Sequence, residues 1–463
     1  MSRNAKSDEI SHLTCNDRVI SDSADLTECF NNHFAEIGLK FRLDEPDELN
    51  NCSFDDYLKQ ADTVFTLDLT TPSAVFKLLS SLQEGKAMGL DEIPAKLLKC
   101  AASVRSDSLC NLFNCSIATG VFADDWKIAK VKPLYKGDAK DILNNYRPIS
   151  ILSAVSKIFE RIVYDQLQAY LNENGLIYDK QSGFRPVHST TSALLDATTE
   201  WLSSMDKGQL NSVVFLDLAK EFDTVDHEIL LSKLQIYGVD SMSLNWFKSY
   251  LFDGKQKCNI NGLVSSERSL LCGVSQGSIF GPLLFLVYIN DLPSCLQHST
   301  ARMYADDANI TTTGKSIKEI ASGANTDLEN IRIWLKANKL TLNATKTEYM
   351  FIASNSNLDK LRDIQYLVLD GKPIRRVKVS KSLGIFIDER LSWRGHIDKI
   401  SKTICSGISG LRQVREFVTL STLLTIYNSL IQPIFDYCDV VLDNMSIILA
   451  QRLQELSPVR VMK

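Results

Sequence analysis

The sequence predicts an α+β fold, with mixed strands and helices in the middle of the chain and mostly helical segments on either side. Three observations lead to this. Val213 to Leu216 form a short, wholly apolar run that ends on Asp217, the signature of a buried strand. "KCNINGLVS" carries Asn261-Gly262 between two strand-like arms, a strong hairpin signal. Apolar residues at helical spacing, Val155, Ile158, Phe159, Ile162, Leu167, Tyr170 and Leu171, run up to Gly175 and mark a long amphipathic helix.

In chain order, residues 1–63 are polar and acidic, with "LDEPDELNN" as a flexible joint, and read as an extension. Thr71 and Pro72 supply an N-cap and first-turn proline for a helix that presents Val75, Leu78, Leu79 and Leu82 and stops at Gly85. Leu230, Leu231 and Leu234, up to Gly238, mark another helix after the apolar strand. Gly281-Pro282 opens the apolar helix "PLLFLVYINDL". A strand ending at Met303-Tyr304 and another beginning at Ala308 put Asp306-Asp307 at a hairpin turn. A helix around Leu328, Ile331 and Trp334, a strand near Tyr349 to Ile352, and a helix carrying Ile397, Ile400, Ile404, Ile408 and Leu411 complete the series.

With 463 residues, 44% hydrophobic and 23% charged, the chain has the composition of an ordinary globular protein of two to four structural units. No apolar run of ~18 residues or signal-peptide core is present, so an intracellular location, nucleus or cytoplasm, with no membrane partner is expected. Eleven cysteines without a C-x-x-C pair read as free thiols. The net charge of -5 is uneven: residues 1–63 hold 14 acidic and 6 basic residues, leaving the remainder net positive. Lys127, Lys130, Lys132, Lys136 and Lys140 cluster there, as do Lys372, Arg375, Arg376, Lys378 and Lys381. Such stripes can bind phosphate, though alone they read as solvated surface.

Two adjacent carboxylates repel each other and suit a strand poorly. A turn explains why "ADDAN" is tolerated, and Asp217 alone could be a helix N-cap. If the strand ending at Asp217 lies beside the hairpin, however, three acids meet at one sheet edge, an arrangement costing several kcal/mol unless neutralised. Oxygen-only ligands favour Mg²⁺, and two such ions ~3.5 to 4 Å apart suit an in-line displacement at phosphorus.

"LDLAKEFDTVDH" (216–227), "GVSQGSIFGPLLFLVYINDLP" (273–293), "MYADD" (303–307), "NKLTLNATKTEYMFI" (338–352) and "KSLGIFID" (381–388) resemble, in order, the palm motifs of reverse transcriptases. "GLDEIPAKLLK", "VKPLYKGDAKDILNNYRPISIL" and "QSGFRPVHSTTSALL" resemble fingers segments of the same family. The likeness is to the jockey-like class of non-LTR retrotransposons and covers roughly residues 64–455.

The resemblance implies a right-hand polymerase: fingers over 64–208, a ferredoxin-like palm over 209–390, and a helical thumb over 391–463. It implies an RNA-directed DNA polymerase using an RNA template, a DNA primer, dNTP and two Mg²⁺ ions, with Mn²⁺ able to stand in. Asp217 and Asp306 would bridge the ions, assisted by Asp307, and Lys346 would protonate the departing pyrophosphate. Phe222 would be the sugar gate, leaving no room for a 2'-hydroxyl, although an aromatic there could also simply fill the core. Gln276 and Gly277 would lie beneath the templating base and nucleotide. Lys136 and Arg147 would grip the triphosphate, Leu383 and Gly384 the primer end.

Three residues depart from the family pattern: Ser275 where proline is usual, Glu221 where a small residue is usual, and Ser382 where an aromatic is usual. None removes a metal ligand, but together they point to decay of an element copy. The expected chain holds the polymerase alone, with no endonuclease, protease or ribonuclease H domain. The alternative is a catalytically decayed, transposon-derived protein that binds RNA or an RNA–DNA hybrid without polymerising. An RNA-dependent RNA polymerase would share the acids, but Phe222 argues against it.

Overall fold

The computed structural model describes residues 10–15, 18–41, 53–359 and 366–456, so the "LDEPDELNN" joint lies outside the described residues. The fold is α+β, and the chain divides into two compact units. The first comprises residues 1–178, 219–294 and 334–341, and the second 179–218, 295–333 and 342–463. No described helix is long and apolar enough to cross a membrane.

In the first unit, Tyr146–Ile151 pairs antiparallel with Ile128–Tyr135, which pairs parallel with Lys255–Ile260. Lys255–Ile260 turns back into Leu263–Val264 through Asn261 (φ 51°) and Gly262 (φ 87°), the two left-handed residues of a type I′ hairpin turn. The expected helices are present as Pro72–Ser80, Ala154–Glu173, His227–Ile236 and Gly281–Ile289, and Thr71 caps the first by accepting from the Ala74 amide. Gly281–Ile289 is apolar on every side, and its residues are buried accordingly. An aromatic cluster of Phe113, Phe122, Trp126, Phe159, Trp246 and Tyr250 forms part of the interior.

The stretch read from sequence as an acidic extension behaves differently. Helix Ser23–Phe41 buries Leu26, Phe30, Phe34 and Ile37 along one face. Leu26, Phe30 and Phe34 join Leu13 in a core with Ala129, Val131, Tyr146, Cys258 and Ile260. Residues 10–41 thus build the first unit rather than extend from it. The acidic composition hid the spacing of four that places these side chains on one face.

The second unit is built on a five-stranded sheet in the order Arg375–Arg376, Glu348–Ile352, Leu210–Leu216, Asp307–Gly314, Ser299–Tyr304. Leu210–Leu216 is central and buried at every residue. Helix Thr190–Asp206 packs on the sheet, where the Trp201 indole donates to Thr311 Oγ1 at 3.1 Å. A hairpin of Val379–Ser382 and Ile385–Asp388 contributes Ile385 and Ile387 to the same core, beside Trp393 and Ile397. Helices Arg394–Val414 and Leu420–Leu430 then bury Ile404, Ile408 and Tyr427 with Ile431. The segment "QSGFRP", read with the fingers, lies in this unit: Ser182 donates its amide to the Met303 carbonyl and the Met303 amide donates to Lys180.

Candidate active site

The central strand fixes the acids. Leu216 pairs with Ala308 in an antiparallel register, and one step further along Asp217 falls opposite Asp307. Asp307 also pairs with Tyr304, which leaves Ala305 and Asp306 as a two-residue turn. Ala305 has φ 56°, the left-handed first turn position that normally favours glycine. Its amide donates to Gln181 Oε1 at 3.0 Å, and the Gly183 amide donates to the same oxygen at 2.8 Å. A Cβ on Gly183 would lie 2.1 Å from the Ala305 nitrogen. Gln181 and Gly183 therefore hold the acidic turn, a role that no local signal in "QSG" reveals because its partner is 124 residues away.

Lys346 Nζ lies 3.6 Å from Asp217 Oδ2. The loop that carries the lysine is stitched to the acid's backbone: the Asn343 amide donates to the Asp217 carbonyl at 2.8 Å, and Leu218 bridges Leu342. Leu383 (φ 44°) and Gly384 (φ 86°) form the tight turn between Ser382 and Ile385. Tyr437 donates its hydroxyl to the Leu383 carbonyl at 2.6 Å. The turn and the acidic hairpin border one cleft of about 240 Å³, lined in part by His188, Asp196, Tyr304, Asp307, Ser382 and Leu383.

The other expected site residues lie in the first unit. Lys136 follows strand Ile128–Tyr135, its amide donating to the Asn145 carbonyl at 2.9 Å, and Arg147 sits exposed on the paired strand. Gln276 accepts at its carbonyl from the Ser150 amide at 2.7 Å. Gly277 has φ 117°, and a Cβ there would lie 2.5 Å from the Ser150 carbonyl, so conformation and space both call for glycine. Phe222 is half-buried with its ring centroid 4.7 Å from that of Phe285.

Sequence reasoning passed over three residues beside these. Asp223 accepts from Gln276 Nε2 at 3.0 Å, and burial pushes its carboxyl up to about 6 against the opposing effects of Lys220, the Gln276 bond and Arg147. Lys220 has its ammonium drawn down by burial, opposed by Asp223 and Glu221 and reinforced by Lys136 and Arg147. The three cations are thus near enough to feel one another and would attract a polyphosphate. Glu160, fully buried, accepts from the Ile279 amide and the Tyr250 hydroxyl, each at 2.8 Å, and burial raises its pKa. It anchors the loop just after Gln276-Gly277.

The donor chemistry suits a hard cation: Asp217 and Asp307 offer oxygen alone, with Asp306 adjacent in the turn. The expected cluster of three acids is nevertheless not closed, since among the described residues no three His, Cys, Asp or Glu side chains stand together as metal ligands. Like charges repel, and Lys346 supplies Asp217 with a counter-charge instead. An ion here would draw its remaining oxygens from water and substrate phosphate. Of the second basic cluster, Arg375 is engaged by Glu348 at 2.6 Å, which favours surface pairing over a free phosphate stripe.

The reverse transcriptase (RNA-dependent DNA polymerase) family matches residues 134–384, more than half of the chain. In Drosophila melanogaster, the probable RNA-directed DNA polymerase from transposon BS is 28% identical over 381 residues, 78% of this chain and 41% of that protein. The probable RNA-directed DNA polymerase from transposon X-element is 26% identical over 89% of this chain and 45% of its own length. The RNA-directed DNA polymerase from mobile element jockey is 28% identical over 80% of this chain and 41% of its own length. The chain thus spans less than half the length of these relatives.

Proposed function

This chain belongs to the reverse transcriptase family, and from that membership we propose that it is an RNA-directed DNA polymerase of a jockey-like non-LTR retrotransposon. The observation that carries the reading is the antiparallel pairing of Leu216 with Ala308, which brings Asp217 and Asp307 to the same end of two neighbouring strands, beside the turn that holds Asp306. The template would be RNA, the primer DNA and the substrate dNTP. We keep the right-hand division into fingers, palm and thumb as part of this proposal, with residues 10–41 assigned to the first unit's core.

Asp217, Asp306 and Asp307 would hold Mg²⁺, which when bound activates the attacking oxygen and stabilises the leaving one. The chain's own residues supply the rest. Lys136, Arg147 and Lys220 bring positive charge to the triphosphate, the guanidinium being able to bind two oxygens at once. Phe222 closes the space beside the sugar's 2' carbon, disfavouring a hydroxyl there. Lys346 holds a proton within reach of the Asp217 edge and can pass it to departing pyrophosphate. The Leu383-Gly384 turn, tied by Tyr437, supports the primer end on the cleft beside Asp307.

Primer extension on a primed RNA template with purified protein, Mg²⁺ and dNTP tests the reading, with Asp306→Asn as control. Template-dependent DNA synthesis by the parent and its loss in the variant are expected. Hybrid binding without synthesis by the parent would favour the decayed, binding-only alternative, to which the departures at Ser275, Glu221 and Ser382 point.

A further inference from the structure

Residues Ala219 to Asp226 form no regular element, yet backbone bonds fix their path. The Asp223 amide donates to Lys220 at 2.9 Å, the Val274 amide to Phe222 at 2.8 Å, and the Gly273 amide to Val225 at 2.8 Å. Helix Ser23–Phe41 presses on the same loop at Gly38, where a Cβ would lie 2.0 Å from the Asp223 carbonyl oxygen and 2.7 Å from Cys272 Sγ. The Asp223 backbone is therefore clamped from two sides, which aims its side chain.

That side chain does one visible thing. Oδ1 accepts from Gln276 Nε2, while Oδ2 is buried with no hydrogen-bond partner among the described residues. A carboxylate only accepts, so it takes the amide nitrogen of Gln276 and leaves Oε1 out of this bond. The backbone of Gln276 is pinned separately, by the Ser150 amide on its carbonyl. A glutamine has several rotamers and two interchangeable-looking ends, and these two bonds remove most of that freedom.

We propose that Asp223 is a positioning residue for nucleotide selection, holding Gln276 so that its amide oxygen, and not its nitrogen, meets the base pair being formed. The inference rests on the polymerase reading above. A buried Oδ2 with no hydrogen bond among the described residues fits such a role: a burial cost is borne at a place where orientation matters more than stability. Lys220 and Arg147 are the charged groups acting on Asp223, and the Cys272 thiol donates to its carbonyl. Once the carboxyl takes up a proton it can donate as well as accept, so either end of the Gln276 amide can then meet it.

The test is single-nucleotide insertion with correct and mismatched dNTP on one primed RNA, for parent, Asp223→Ala, Asp223→Asn, Gln276→Ala and the Asp223→Ala/Gln276→Ala pair. Asp223→Ala should raise KM for the correct dNTP and lower discrimination by roughly ten- to a hundredfold, with a smaller change in kcat. Asp223→Asn, which retains an acceptor oxygen but can also donate, should fall between. Asp223→Ala should add little once Gln276 is already alanine, because the two act as a unit. In the parent alone, discrimination should fall as pH drops below about 6. Equal factors from Asp223→Ala in both backgrounds, or unchanged discrimination in a parent that extends primers, would overturn the proposal. If Asp223→Ala fails to fold, the same cycle with Asp223→Asn decides by the same criterion. A parent inactive on every primed template would instead remove the polymerase reading itself.

Discussion

Lys346 stands 3.6 Å from Asp217 with 57% of its side chain exposed, so their ion pair is a surface one. Such pairs contribute only about 0–1 kcal/mol to stability. Lys346→Met should therefore shift unfolding by less than about 1 kcal/mol, while synthesis falls roughly a hundredfold if the ammonium donates a proton in the transfer step. Urea unfolding and primer extension measured on the same preparation check this. A large stability loss with unchanged turnover would make the lysine structural.

Asp217 and Asp307 each lie one residue beyond the paired Leu216 and Ala308, and among the described residues no group of three acids closes there as metal ligands. Asp307→Asn should lower synthesis by orders of magnitude and leave hybrid binding nearly intact, because binding rests on phosphate contacts made elsewhere. Extension assays beside a mobility-shift titration separate the two effects. Equal synthesis by variant and parent would remove Asp307 from the site.

Phe222 packs on Phe285 but remains half-buried, an arrangement compatible with both readings of this ring. Phe222→Val opens space beside the sugar, so rNTP insertion should rise relative to dNTP. Incomplete burial limits the stability cost to about 1–2 kcal/mol, below the full large-to-small penalty of a buried aromatic. Insertion of dCTP and CTP on one template, at matched folded concentration, gives the ratio. An unchanged ratio with a lower melting temperature would return Phe222 to the core.

Glu160 buries a carboxylate that binds the Ile279 amide and the Tyr250 hydroxyl. Glu160→Ala leaves both donors without their acceptor and should cost about 2–4 kcal/mol in a denaturant titration. Glu160→Gln keeps one acceptor oxygen and should cost clearly less. A smaller loss for alanine than for glutamine would show that the cost of burying a polar group here outweighs its bonds.

What could be read from the sequence was local. Thr71-Pro72, Asn261-Gly262 and the apolar run before Asp217 each contain their own structural instruction within a few residues, and each forms the expected element. The hairpin around Asp306 was legible for the same reason. What escaped depends on partners distant in sequence. Asp223 meets Gln276 across 53 residues, Gln181 meets Ala305 across 124, and Glu160 meets Ile279 across 119. A polar residue held by such a bond looks the same in the sequence as one facing water. Helix Ser23–Phe41 was obscured for another reason: surrounding acidic residues dominated the composition, while the apolar stripe lay beneath it.

Asp223 also makes a prediction about stability, with a sign opposite to that of most carboxylates. Its folded pKa is pushed up to about 6, above the 3.8 of an ordinary aspartate, so the folded state holds its proton more tightly than the unfolded chain. Between about pH 4 and 6 the native protein binds more protons, and stability contributed by this group falls as pH rises through that window. Above it the penalty of a buried charge is complete. Asp223→Asn cannot titrate, so the variant should gain on the parent as pH rises, by up to about 3 kcal/mol between pH 4 and pH 7. Other groups titrate in both proteins and largely cancel in the difference. Paired urea titrations at several pH values give that difference directly. A flat difference would mean that Lys220 and Arg147 fully offset the burial of the charge, and the buried Oδ2 would then carry no energetic cost to be exchanged for orientation.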